Sequence, residues 1–130
     1  MILLDSDVMI DLLRQYPSAM RWFDALDEDE GVALPGYVVM ELIQGCRNKR
    51  EQERIQRAVT PYGAVWLSPA DCDQALEVFT QYHLSHNAGL LDVLIGQTAV
   101  ALDAPLHTFN QKHYRFMTEL RTVQPYEKVT

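Results

Sequence analysis

The chain has 130 residues, 48% hydrophobic and 22% charged, with a net charge of −7, which fits one ordered globular domain over residues 1–130 with enough apolar content for a core. No run approaches the roughly eighteen apolar residues of a membrane span. The acidic balance excludes a generic nucleic-acid coat protein, but not an enzyme whose bound cation cancels part of its local field.

The opening, MILLDSDVMIDLLR, is the most informative stretch. Ile2 to Leu4 suit a buried strand ending in Asp5, and the spacing predicts a helix over Asp7 to Arg14, stopped near Tyr16-Pro17. Ser18 is placed to cap a second helix over Ala19 to Leu26. The acidic run Asp27-Glu28-Asp29-Glu30-Gly31 is a solvated turn. Val32 to Leu34 is a short buried strand closed by Pro35-Gly36, and a helix then carries Val38, Val39, Leu42 and Ile43 inward. Lys49 to Val59 is a charged helix ended by Thr60-Pro61-Tyr62-Gly63. Val65 to Leu67 is the third strand, and Ser68-Pro69-Ala70-Asp71 opens a helix, with proline at its first position, that runs to about Tyr82. After His86-Asn87-Ala88-Gly89 comes a long apolar helix, Leu90 to Leu102. Pro105 to Phe109 is the fourth strand, Gln111 to Met117 a short helix and Thr122 to Gln124 a final strand. Strands separated by helices imply parallel pairing through right-handed crossovers, so the expected fold is α/β, a three-layer α/β/α sandwich with a parallel central sheet. Cys46 and Cys72 read as packing residues in helices, and two cysteines suit a reduced compartment better than a disulfide framework. The opening has no basic leader ahead of a long apolar run, and the expected location is the cytoplasm.

A strand that ends in a carboxylate at a helix start puts that carboxylate at the carboxyl edge of the sheet, where ligands of open α/β sheets bind. Asp5, Asp7 and Asp11 gather there, and neighbouring carboxylates resist full ionisation unless something positive joins them. A divalent metal is the usual answer. Two further acids stand among apolar residues: Glu41 in YVVMELI and Asp92 in GLLDVLI. Read singly, Glu41 is a surface residue of an amphipathic helix and Asp92 an N-terminal acid that complements a helix dipole. Read together, all three acids follow turns or loops that could share one sheet edge. Arg47, Arg50, Arg54 and Arg57 form a basic stripe at helical spacing, which reads as a solvated face with Arg47–Glu51 and Glu53–Arg57 pairs more readily than as a phosphate track. The spacings of His83, His86, His107 and His113 match no zinc pattern.

Taken in order, LLDSD, VVMELIQG and LLDVLIGQTAVALDAPLHTFNQKHY resemble the PIN-domain family, and within it the VapC-type toxins of type II toxin–antitoxin pairs, from Ile2 to about Tyr126. The resemblance implies a metal-dependent endoribonuclease that hydrolyses RNA with a metal-activated water. It places Asp5, Glu41 and Asp92 at the family's first three acidic positions, as ligands of Mg2+ or Mn2+. The fourth position carries Asn110 where many members have aspartate. Asparagine offers a neutral oxygen that orients water or binds metal weakly, so the number of ions is one or two. Ser6 stands beside the first acid as a contact to ligand or phosphate. Asp7 replaces a common asparagine, adding charge or capping a helix. Lys112, His113 and Arg115 follow Asn110, placed to meet RNA. The resemblance also implies a small cognate VapB-like antitoxin and a homodimer, with Val8, Ile10, Trp22 and Phe23 as candidate surface residues if they are not core.

Three other readings compete. Asn110 keeps open a PIN-like module that binds RNA or protein without cutting. The DSDV start also fits haloacid dehalogenase-like phosphatases, although the chain is short for them and offers no late lysine with paired aspartates. A receiver domain needs an aspartate after the third strand, where Ser68-Pro69 stands.

Overall fold

A computed structural model describes residues 1–128; residues 129–130 of the expected domain lie outside the described residues. Ile2, Leu3 and Leu4 are wholly apolar and buried (5%, 0% and 0% exposed), the pattern of a strand covered on both faces of a parallel sheet. They form β1 (Ile2–Leu4). On one side of it lie β2 (Val32–Pro35) and β3 (Ala64–Val65), and on the other β4 (Leu106–His107) and β5 (Thr122–Val123). The order is β3-β2-β1-β4-β5 and every pairing is parallel. Strand order therefore reverses between β1 and β4. The crevice at the carboxyl ends of those two strands is the topological switch point.

Among the described residues seven α-helices clothe the sheet: α1 (Ser6–Leu13), α2 (Pro17–Asp24), α3 (Gly36–Gln44), α4 (Lys49–Val59), α5 (Pro69–His86), α6 (Leu90–Leu102) and α7 (Gln111–Tyr114). The core joins β1, Leu34 and Leu106 of the sheet to Val8, Met9 and Leu12 of α1, Val38 and Leu42 of α3, and Ile95 and Ala99 of α6. The expected α/β fold with a parallel central sheet is the observed one.

Local chemistry explains where the boundaries moved. α2 opens at Pro17, one turn position before Ser18, because proline is preorganised for a first helical residue; Ser18 does not cap the helix and accepts a bond from Arg21 instead (3.3 Å). α4 is capped by Asn48, whose Oδ1 accepts from the Glu51 amide (2.9 Å), while Glu51 accepts from the Arg47 amide (2.9 Å). Glu53 meets Lys49 (3.9 Å) in place of the expected partner Arg57. Ser68 caps α5 as anticipated, but that helix continues past Tyr82 to His86, where Asn87 adopts the left-handed conformation (φ 51°) that terminates it. β3 ends before Trp66, whose ring lies so close over Gly36 that a Cβ there would sit 2.4 Å from it. Cys46 falls in the connection after α3 and Cys72 is exposed on α5, so neither is the helical packing residue expected. Among the described residues no helix is long and apolar enough to cross a membrane.

Candidate functional site

At the switch point a cavity of about 810 Å3 opens, and Asp5, Ser6, Glu41, Asp92, Asn110 and His113 are among the residues that line it. They arrive from four places in the chain, Ser6 beside Asp5 and His113 beside Asn110. Asp5 ends β1 and is the N-cap residue of α1. Glu41 lies mid-way along α3, Asp92 in the first turn of α6, Asn110 at the cap of α7 and His113 within it. The three acids expected to act together thus share one cavity, whose lining also takes residues of α1, α3 and α4, with Arg54 of α4 and Arg14 at the C-cap of α1.

Asp5 is the fixed point. It is 3% exposed, and its Oδ1 accepts from the Ser6 amide (2.8 Å) while its Oδ2 accepts from the Thr108 hydroxyl (2.8 Å) and the Tyr114 phenol (2.8 Å). The Asn110 amide donates to Thr108 Oγ1 (3.0 Å), so one short chain of bonds runs from the fourth family position to the first. Burial, then the negative field of Asp5, Asp92 and Glu41, pushes the Tyr114 phenol well up, which keeps its proton in place as a permanent donor. A carboxylate has about four lone-pair positions. Three are occupied here, leaving a direction for a ligand.

Thr108 and Tyr114 were not singled out from sequence. Thr108 directly follows β4 and Tyr114 follows Asn110 by one helical turn. A buried hydroxyl at either position is a signal that only spatial knowledge of Asp5 makes readable.

Asp92 is half-buried. Its carboxyl is pushed up first by burial and next by the charges of Asp5 and Glu41, and His113 opposes them. Chemically the set is all oxygen and strongly negative, which suits a hard divalent cation such as Mg2+ or Mn2+. Among the described residues no three His, Cys, Asp or Glu side chains are gathered closely enough to hold an ion as they stand. The carboxylates fit the group by donor type and by opening on a common space.

Asp7 behaves differently. It does not line the cavity; its Oδ2 accepts from the Phe109 amide (2.9 Å) and its Oδ1 from the Val8 amide (2.8 Å). It is a strap between the start of α1 and the end of β4, and the phosphatase-like reading loses its second acid. Burial and then Asp5 raise its pKa from 3.8 to about 6. An acid held above its unfolded value stabilises the fold when protonated, and that contribution is lost as pH rises from about 4 through about 6. Discounted for partial solvent screening, the loss is about 1–2 kcal/mol. Asp7→Asn is therefore expected to gain on the unsubstituted chain by that amount between pH 4 and pH 7.5, as read by urea unfolding in EDTA. Equal gains at both pH values would refute the assignment.

Of the remaining expected contacts, His113 and Ser6 line the cavity, whereas Lys112 and Arg115 are exposed outside its lining. Only Arg54 of the arginine stripe reaches the cavity; Arg14 reaches it too and was not anticipated. Among the proposed surface residues, Val8 is fully buried, Trp22 and Phe23 are partly buried against the core, and Ile10 lines the cavity.

Tyr114→Phe removes one donor from Asp5 and little volume. Loss of a partner that orients a ligand typically costs 10–100-fold in metal affinity, and loss of a hydrogen bond to a charged group about 1.5–3 kcal/mol of stability. Mn2+ titration calorimetry beside thermal unfolding reads both, and an unchanged Mn2+ affinity would remove Tyr114 from the site.

Residues 2–117 match the family model described as PIN domain. The chain is 32% identical over 122 residues to Ribonuclease VapC10 of Mycobacterium tuberculosis, covering 93% of this chain and 91% of that protein. Among solved structures it superposes on a chain of VapBC2 from Rickettsia felis bound to a promoter DNA fragment, with TM-score 0.79, 21% identity and coverage of 95% and 98%. A toxin–antitoxin complex from Klebsiella pneumoniae gives TM-score 0.76 at 22% identity, covering 98% of this chain and 100% of that one. These two likenesses concern the fold.

Proposed function

This chain belongs to the PIN-domain family, and from that premise we propose that it is a metal-dependent endoribonuclease toxin of the VapC type, held in check by a small cognate antitoxin. The observation that carries the reading is the opening of Asp5, Glu41 and Asp92, with Asn110, on one cavity at the switch point of the sheet. The likeness to a named ribonuclease over nearly the whole chain supports it.

Asp5, Asp92 and Glu41 would hold the cation, Mg2+ or Mn2+. When bound, it lowers the pKa of a coordinated water and offsets charge on the phosphoryl oxygens. The chain's own residues do the rest. Thr108 and Tyr114 hold Asp5 in one orientation, so that its free lone pair faces the cavity with no reorganisation during the reaction. With its backbone N–H held by Thr108, Asn110 offers its neutral side-chain oxygen to orient water without adding charge. Ser6 and His113 line the same space and take substrate oxygens, and Arg14 and Arg54, also in its lining, meet the phosphates on either side. Lys112 and Arg115, exposed beyond Asn110, extend that track. The single-domain organisation over residues 1–130, the homodimer and the cytoplasmic location belong to the same reading.

One observation favours a second reading. Asn110, in place of the acid many members carry, fits a PIN-like module that binds RNA or protein without cutting it. Incubating antitoxin-free protein with total RNA in Mg2+, in Mn2+ and in EDTA separates the two. Discrete products that require metal are expected; folded protein that neither cuts RNA nor binds Mn2+ would hand the function to the binding reading.

A further inference from the structure

A second, smaller cavity lies between α5, α6 and the segment after α7, with a volume of about 170 Å3. Its lining includes Gln97, a residue only 5% exposed whose side-chain amide makes no hydrogen bond among the described residues. Among the described residues the fully enclosed side-chain polar atom without a partner is His107 Nδ1, so the Gln97 amide is open to the cavity and free to bond what enters it. The neighbouring Thr98 shows the ordinary solution: its hydroxyl donates to the Leu94 carbonyl (2.8 Å). Gln97 instead presents a donor and an acceptor side by side to the cavity.

The walls suit a flat ring. Tyr82 and Phe116 line it, packed on one another with centroids 5.3 Å apart. Met117, also in the lining, is seated hard on Gly96, where a Cβ would come within 2.5 Å of its sulfur. Glu119 adds an acceptor-only carboxylate at the exposed rim. A volume this far below the roughly 300–1,000 Å3 of sites that enclose whole ligands takes one ring system and not a nucleotide.

The same stretch of chain serves both cavities. Asn110 and His113 line the large one, Phe116 to Glu119 the small one, and the exposed cations Lys112 and Arg115 fall between.

We propose that this cavity receives a single unstacked base of the RNA, one that carries an exocyclic amino group beside a ring-nitrogen acceptor, with adenine as its best fit. The amide of glutamine matches adenine at N6 and N7, its oxygen accepting from N6 and its nitrogen donating to N7. The second N6 hydrogen has Glu119 to accept it. Uracil turns an O4 acceptor toward that carboxylate and is disfavoured. Aromatic faces add stacking that any base enjoys, while the amide and carboxylate decide between bases. The inference rests on the reading of the chain as an RNA-cutting enzyme, and it places base selection outside the acidic cavity.

Free adenosine and uridine are the probes, followed by NMR through the Gln97 side-chain amide and the Met117 methyl group. Adenosine is expected to shift both signals and to bind about tenfold or more tightly than uridine. In Gln97→Met, an isosteric change that fits an apolar wall, the Met117 methyl should no longer distinguish the nucleosides, while thermal unfolding confirms that the variant is folded. No adenosine-dependent shift, or the same preference in Gln97→Met, overturns the proposal. Cleavage of total RNA by the unsubstituted protein is measured alongside. Cleavage without adenosine binding removes the pocket and keeps the nuclease, whereas adenosine binding without cleavage keeps the pocket and removes the nuclease.

Discussion

Asp5→Asn abolishes metal-dependent RNA cleavage, by about 10^3-fold or more, and leaves the chain folded. The magnitude follows from position. Residues that merely orient a metal ligand are worth 10–100-fold, and Asp5 is the carboxylate that Thr108 and Tyr114 orient. Asparagine has the same shape, and its Oδ1 still accepts one of the bonds that fix the position. It removes the charge to which a divalent cation responds and turns an NH2 donor toward hydroxyls that were donating. The fold should tolerate this, because the same change relieves the repulsion that Asp5 exerts on Asp7 and Asp92. Gel analysis of total-RNA digests reads the activity, and Mn2+ calorimetry reads the affinity. Full cleavage by a folded Asp5→Asn protein would take Asp5 out of the reaction altogether.

Leu4→Ala has the largest expected effect on stability, about 3–5 kcal/mol. Leu4 is completely buried in the central strand, part of the cluster that joins sheet, α1, α3 and α6. Deleting its side chain there costs both the transfer free energy and the cavity left behind, since β1 is locked by neighbours on both edges and collapses poorly. Against a typical total of 5–15 kcal/mol, that is a large fraction. Urea unfolding monitored by circular dichroism checks it. A loss under 1 kcal/mol would mean that the strand repacks, contrary to its central place.

The sequence was most legible where periodicity and punctuation agree. β1 shows as a short apolar run ending in an acid, α6 as a long apolar helix after glycine, and α5 through Ser68-Pro69; α6 and the start of α5 were placed to the residue. The edges of the short strands were not, since a two-residue strand such as β3 or β4 is defined by its partner's register and carries no periodicity of its own. The three acids could be named because Asp5 ends an apolar strand and Glu41 and Asp92 stand among apolar residues, and the family resemblance then gave them a common purpose. What held them could not be named. Thr108 and Tyr114 look like ordinary strand and helix residues until β4 is laid beside β1, and Asp7, two residues from Asp5, turns out to strap the end of β4 and not to face the cavity. Gln97 was hidden for the opposite reason: a lone amide in an apolar helix signals nothing until the space beside it is seen.

β1 sits at the centre of the sheet, and its partner β4 is made about a hundred residues after it: the hydroxyls that grip Asp5 belong to Thr108, 103 residues on, and Tyr114, 109 residues on. Contacts of such long sequence separation form late and slowly, and a chain emerging from the ribosome folds from its beginning. A nascent copy of this protein therefore carries Asp5 through more than a hundred further residues without the partners that aim it. The grip on Asp5 closes only after β4 and α7 have been made, so the order of synthesis withholds the acid cluster's final geometry until those elements exist.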